Sequence, residues 1–364
     1  MTLRRYVLMA FMRALLAVQG AIAIVVGLFA AVENLQRLRG EGATLMDVLR
    51  ITMLQMPETL YQIFPLVLML ASLVTFLRLA QHSELVVMRA SGLSALRLIL
   101  VPMGAAILLG AGFVAALNPF VAASIEYGAT LEEGFGGAGL SRLSFSDDGL
   151  WLRQADAEGQ TVIQAARANF NGTLLSQIRL HRFDEDGGLY ARIEAPVARL
   201  GTRHWVLEGA TRWRRDGAGR FVRIETRTRI DLPTSLTSAK ILESFSRPET
   251  IGFWDLDRFI VQMEDAGFSA RAYRLFRQSE LAKPALFAAM VLIGSAFALR
   301  PARFGKTGVM IMLAVLAGFA LFFLKDFAES LGASGEVPLV VAAWIPPLAA
   351  ISLALGLLLH LEDG

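Results

Sequence analysis

Residues 98–120 read LILVPMGAAILLGAGFVAALNPF, with no charged side chain among them. A helix of about 20 apolar residues, rising about 1.5 Å per residue, crosses a bilayer's hydrocarbon core. The chain beyond Phe120 is of another kind. About 160 residues rich in Arg, Asp and Glu hold no apolar run of spanning length. Working outward, runs of spanning character recur at Val7–Val32 and Tyr61–Leu79 before this stretch. They recur at Leu281–Leu299, Val309–Leu324 and Leu339–Leu359 after it. The sequence predicts a polytopic α-helical membrane protein with six transmembrane helices and an inserted all-β domain. The expected divisions are 1–120 for helices one to three, 121–250 for the β domain, and 251–364 for a connecting helix and helices four to six.

Composition agrees. Of 364 residues, 55% are hydrophobic and 18% charged, and mean hydropathy is +0.52. Soluble domains carry about 25% charged residues, so a disordered chain is excluded and the balance weighs against a wholly soluble one. There is no Cys, which removes disulfides, thiolate metal sites and Cys nucleophiles. A net charge of +3 makes no case for nucleic acid.

Lys and Arg in short loops set orientation. Arg4, Arg5 and Arg13, then Arg78, Arg89 and Arg97, then Arg300, Arg303 and Lys306 fall on one side if all six spans are real. That side is expected to be cytoplasmic, with both termini, and the β domain periplasmic. Arg37, Arg39 and Arg50 are the exception. Asp326, Glu329 and Glu336 mark the loop after span five as external. Span one has a basic start and small residues. Its core exceeds the 7–15 residues of a signal peptide, and cleavage would put the charge pattern out of step. It reads as an uncleaved anchor.

In the insert, Val222, Ile224, Ile230 and Leu232 alternate with Arg223, Glu225, Arg227, Arg229 and Asp231. Leu189, Ala191, Ile193, Ala195 and Val197 likewise share a face. Asp147-Asp148-Gly149, Asp186-Gly187-Gly188 and Asp216-Gly217-Ala218-Gly219 separate the runs as turns. An antiparallel sheet with one apolar face is expected, that face being either an ordinary core or a surface that holds lipid. Phe253–Ala266 repeats Leu256, Phe259, Ile260 and Met263 at helical spacing, with Gly267 as a stop. Thr44–Met56 reads as a separate amphipathic helix on the membrane surface, ended by Pro57.

Catalytic motifs are absent. Gly305-Lys306-Thr307 is the tail of a P-loop motif whose first Gly position is Arg300. The four His are scattered and no HExxH occurs. Asn171-Gly172-Thr173 is a glycosylation sequon by pattern alone. The spans read as almost free of ionisable residues, and Arg13, Arg78, Lys325 and Asp326 lie near their ends, where snorkelling accounts for them. The informative loop is Gln81–Gly92, QHSELVVMRASG. Ser83 is placed to cap a short helix, Glu84 complements its dipole, Leu85, Met88 and Val87 make an apolar side, and Gly92 ends it. Such a helix either lies on the membrane or docks in the groove of a partner.

This segment, with Phe64-Pro65, Tyr273, Lys283-Pro284, Pro338 and Ala343-Trp344-Ile345-Pro346-Pro347, resembles the LptF/LptG permease family of the lipopolysaccharide export ABC transporter. The Ser-Glu-Leu-Val-Val-Met core followed by Ala-Ser-Gly is most similar to the G side. The resemblance implies a permease subunit that extracts lipopolysaccharide from the inner membrane and passes it to a periplasmic bridge. The insert would be a periplasmic β-jellyroll. Partners would be an LptF-like permease as heterodimer, an LptB-like ATPase dimer, an LptC-like bitopic protein and an LptA-like bridge. The chain would be no enzyme and bind no cofactor, since ATP is used by the partner ATPase. Ser83, Glu84, Leu85, Val87, Met88 and Arg89 would make the ATPase-coupling helix.

A wall that binds lipid A needs cations above and bulky apolar groups below. Arg37, Arg39 and Lys325, with Phe319, Phe322 and Phe323, are the substrate-binding candidates, Arg–phosphate contacts being strong when partly dehydrated. The same cations equally fit ordinary phospholipid head groups. Family members often carry a Lys at the outer end of span one, where this chain has Phe29-Ala30-Ala31-Val32. The alternatives are the paralogous F permease and a membrane-anchored periplasmic binding or assembly protein.

Overall fold

A computed structural model of the chain describes residues 3–38, 44–90, 92, 94–133, 143–146, 149–156, 159–168, 173–184, 188–202, 204–215, 220–234, 247–265, 269–299 and 307–363. Arg39, Gly267, Gly305-Lys306, Asn171-Gly172 and the tips of the three predicted turns lie outside them. The chain divides into two compact units. One comprises residues 1–136, 252–254 and 274–364; the other comprises 137–251 and 255–273.

In the first unit the helices are α1 (Leu3–Arg37), α2 (Leu45–Gln81), α3 (Glu84–Ala90), α4 (Ala95–Gly112) and α5 (Asn118–Glu133). Six helical segments among the described residues are long and apolar enough to cross a membrane: α1, α2, the α4–α5 rod and three C-terminal helices.

α2 corrects the sequence reading. Thr44 does start a helix, through a capping box: Asp47 N–H donates to Thr44 Oγ1, and the Asp47 carboxylate accepts from Thr44 N–H at 3.0 Å. Pro57 does not end it, and the helix runs unbroken to Gln81. A mid-helix proline costs one hydrogen bond and some strain, and packing offsets that. Val48 and Ile51 cluster with Leu38, and Asn34 Nδ2 of α1 donates to Thr52 Oγ1 at 3.1 Å and Gln55 Oε1 at 2.8 Å. Of the apolar side that spacing gives this segment, Leu45, Leu49 and Met53 are exposed and Met56 is half-buried.

Between α4 and α5, residues Phe113–Leu117 form one π-helical turn. Such a turn breaks the regular ladder. The Ala115 carbonyl there accepts from Trp254 Nε1–H at 2.9 Å, and Asn118 Oδ1 accepts from the Phe253 N–H at 2.7 Å.

The second unit holds seven antiparallel strands: β1 (Leu143–Ser146), β2 (Gly149–Asp156), β3 (Gly159–Ala168), β4 (Leu174–Phe183), β5 (Leu189–Leu200), β6 (His204–Arg215) and β7 (Phe221–Pro233). They pair in sequential order. Ile163, Leu180 and Ile193 are register partners and almost fully buried. Alternation then changes phase. In β5, Ala191, Ile193 and Ala195 are buried, but the next buried residue is Ala198, not the expected Val197. β4 skips from Ile178 to Leu175 and β6 from Ala210 to Leu207. The cause is an in-register kink. Gln177 with φ 52°, Pro196, and Gly209 with φ 65° fall opposite one another across the three strands. Left-handed backbone turns the pleat over, and proline gives no N–H to the ladder. In β7, Leu232 is buried while Val222 and Ile224 are exposed.

α6 (Leu256–Asp265) buries Leu256, Ile260 and Met263 as its spacing predicts. Its Phe259 ring lies 4.9 Å from Tyr273. The chain continues with α7 (Arg271–Ala298), α8 (Thr307–Ser334) and α9 (Leu339–Asp363).

Candidate functional site

α2 and α7 pack at backbone distance. A Cβ on Gly294 would collide with the Met69 carbonyl. One turn away, Ser72 Oγ donates to the Val291 carbonyl at 2.9 Å and lies 2.8 Å from Ser295 Oγ. Small and hydroxyl residues do this work between membrane helices, where the hydrophobic effect gives no drive. Pro284 sits against α4, where a Cβ on Gly110 would come within 2.6 Å of its Cα.

The same pair carries a buried charge cluster. Glu280 is 2% exposed. Its carboxylate accepts from Tyr61 O–H of α2 and from Lys283 Nζ at 2.6 Å. The Lys283 ammonium also stands 3.6 Å above the Tyr61 ring. Tyr61 stacks on Phe113, followed by Phe64 and Phe287. The sequence reading started span four at Leu281, whereas the helix begins at Arg271, and so left Glu280, the buried partner of Lys283, outside the span. The i,i+3 spacing Glu280–Lys283 ahead of Pro284 was the available signal. Trp344 Nε1–H donates to Gln278 Oε1 at 3.3 Å, tying α9 to α7.

On α8, the four substrate candidates fall on two faces. Phe319 and Phe323 are exposed, with ring centroids 6.4 Å apart. Phe322 and Lys325 are half-buried. They share a stripe with Gly318, where an added Cβ would strike Met69 of α2. Lys325 Nζ lies 2.8 Å from Glu329 Oε2 and 3.6 Å from Asp326 Oδ1. Arg37 ends α1 and donates to Asn34 Oδ1 at 3.3 Å.

The loop helix α3 turns the opposite way from the sequence reading. Leu85 and Met88 are 6% and 5% exposed and belong to the chain's own core with Val7, Met69, Phe76 and Leu98. Val86 and Val87 are 66% and 68% exposed. The helix is short and lies over the ends of α1 and α2, so its best apolar pair is satisfied internally. Glu84 Oε2 accepts from Tyr6 O–H of α1 at 2.7 Å. Ser83 has φ 58°, left-handed where an N-cap is extended. Its carbonyl accepts from Val87 N–H at 3.3 Å. Arg89 lies within α3, and Gly92, at φ 86°, comes after it. Among the described residues, no group of three or more His, Asp or Glu is arranged to hold a metal ion.

A cavity of about 740 Å³ opens over the kink of the β sheet, lined by Gln164, Gln177, Arg179, Glu194, Pro196 and Thr211. His181 in β4 has its pKa lowered, first by burial and then by Arg192 and Arg179.

Six apolar helices with an antiparallel sheet inserted between the third and fourth define a multi-pass membrane protein. The sequence profile of the lipopolysaccharide export system permeases LptF/LptG matches residues 5–360. The chain belongs to that family, and is therefore an inner-membrane permease of the lipopolysaccharide export type. It is similar to the lipopolysaccharide export system permease protein LptG of Escherichia coli strain K12. Identity is 25% over 314 residues, covering 85% of this chain and 84% of that one. It is 23% identical to the LptG of Haemophilus influenzae over 378 residues, covering 100% of this chain and 99% of that protein.

Proposed function

We propose that the chain is the G-type subunit of its exporter, paired with an F-type permease and driven by a separate ATPase dimer seated on α3. A bitopic LptC-like protein and a periplasmic LptA-like bridge complete the assembly. α3 and both termini are cytoplasmic and the sheet is periplasmic. ATP is used by the partner, and this chain binds no cofactor. The observation that carries the reading is the pair Val86–Val87. Two adjacent valines stand exposed on a helix whose larger apolar side chains, Leu85 and Met88, are buried, and such an exposed apolar pair fits a partner's groove. The G name of the relatives supports that subunit over the F paralogue.

Lipid passes along the exposed faces of α1 and α8. There Leu16, Ile24, Leu28 and Phe29 on one helix, and Phe319 and Phe323 on the other, are open. Arg37, Arg39 and Lys325 supply cations.

The test is a mild-detergent purification of the tagged chain from its native membrane, with bound proteins and lipids identified by mass spectrometry. A P-loop ATPase, a second six-span permease of F sequence and lipid A are expected. Val87→Asp should lose the ATPase and keep the second permease. Recovery of the chain alone, or with bulk phospholipid only, would sink the proposal and return the anchored binding protein.

A further inference from the structure

Two lysines occupy neighbouring helices of the first unit, and their surroundings differ. Lys283 on α7 is enclosed: its side chain is 12% exposed and that of its partner Glu280 is 3% exposed. The Tyr61 ring and hydroxyl complete the set. Every strong group there has an opposite. Lys325 on α8 is held more loosely. Its side chain is 20% exposed, Glu329 is 22% exposed and Asp326 is 48% exposed. The pairing is also incomplete. Glu329 Oε2 takes the ammonium, while Glu329 Oε1 is buried and has no hydrogen-bond partner among the described residues. A desolvated carboxylate oxygen without a donor is costly. The resting pair therefore holds Lys325 at a penalty that any better-satisfied anion could relieve.

We infer that Glu329, helped by Asp326, is an internal stand-in for the substrate's anion: it occupies Lys325 in the empty permease and must be displaced before a lipid phosphate can bind there. The inference rests on the reading of α8 as lipid-binding. It changes what Lys325 does. The lysine is not a free cation awaiting any anionic head group. A weakly held or singly charged phosphate does not dislodge the carboxylate, whereas a lipid offering two phosphates does so more readily. Glu329 thereby becomes a selectivity residue, acting against ordinary phospholipid by competition.

The experiment uses the full chain with its copurifying partners in phosphatidylcholine nanodiscs, titrated with lipid A bisphosphate and with monophosphoryl lipid A. Glu329→Gln should bind the bisphosphate about threefold to tenfold more tightly than wild type, the size expected for losing one partly buried competing ion pair. The gain should be at least as large for the monophosphoryl form, so that discrimination between the two narrows, and it should vanish in a Lys325→Gln background. Asp326→Asn, at a more exposed position, should move the same way by less, and decides the matter if Glu329→Gln does not assemble. Unchanged or weaker binding by both carboxylate variants, with wild type still binding lipid A, overturns the inference and leaves the proposed function standing. A gain that survives in the Lys325→Gln background also overturns it, since Glu329 would then act by general charge. If no variant binds lipid A above the phosphatidylcholine background, the proposed function and the inference fall together.

Discussion

Helices α2 and α7 are built for each other, while α1 and α8 are built for something else. In the most apolar window of each, 61% of α2 and 72% of α7 is buried, against 6% of α1 and 17% of α8. All four are equally credible as spans by hydropathy. What separates them is small residues and polar ties. α2 and α7 carry the Ser72–Ser295 contact, the Gly294 seam and the Tyr61–Glu280–Lys283 cluster. α8 offers Leu316, Phe319, Phe323 and Phe327 to the outside. The unit thus has one enclosed helix pair and two helices whose apolar faces are open.

The sharpest way to break the contrast is at Glu280. Glu280→Ala leaves the Lys283 ammonium buried and unpaired, which costs about 3–5 kcal/mol. The thermal midpoint in detergent should fall steeply. Glu280→Ala with Lys283→Met should recover a large part, because no naked charge remains. Equal loss in both would mean the pair matters for shape and not for charge. Next comes the seam. Gly294→Val should cost about 3 kcal/mol or more, because the atom in its way is backbone and cannot rotate aside. Valine at Gly20 of α1, where an added Cβ meets nothing within 4 Å, should change the midpoint little. The third comparison divides the two faces of α3. Leu85→Ala should cost about 2 kcal/mol, while Val87→Ala stays within about 0.5 kcal/mol.

The smallest expected effect lies in the sheet. His181 is easier to deprotonate in the fold than in the unfolded chain. The unfolded state therefore binds the proton first as pH falls below about 6.5. Stability associated with neutral His181 is present above that pH and is lost as pH falls below it. His181→Gln should flatten this part of the pH profile of thermal unfolding. An unchanged profile would show that solvent screens the site.

The six spans, the insert and the family were legible because long apolar runs and the Ser83–Gly92 segment are local signals. The direction of α3 was not. The helical spacing of Leu85 and Met88 shows that they share a side, and nothing in seven residues says whether that side meets its own chain or another. The continuity of α2 through Pro57 was hidden for the same reason, since the offsetting contacts come from Asn34 and Leu38. Glu280 was missed by placing a boundary at the last apolar residue. Glu280 lies well inside α7, and an ionisable residue within a spanning helix is rare and marks a site. On α8, proximity in sequence made Phe319, Phe322, Phe323 and Lys325 look like one wall, and helical geometry divides them.

The kink at Gln177, Pro196 and Gly209 carries a consequence for how the sheet assembles. A plain antiparallel meander can slip by two residues and keep its apolar side inward. Here each of three strands changes phase at one point, and the points must align. A slip of one residue turns part of a strand inside out. A slip of two sets a left-handed residue against ordinary extended backbone and leaves the phase change of its neighbour unanswered. Misregistered hairpins are thus penalised from both ends, and the sheet has a built-in proofreading mark that the alternating side chains alone do not supply.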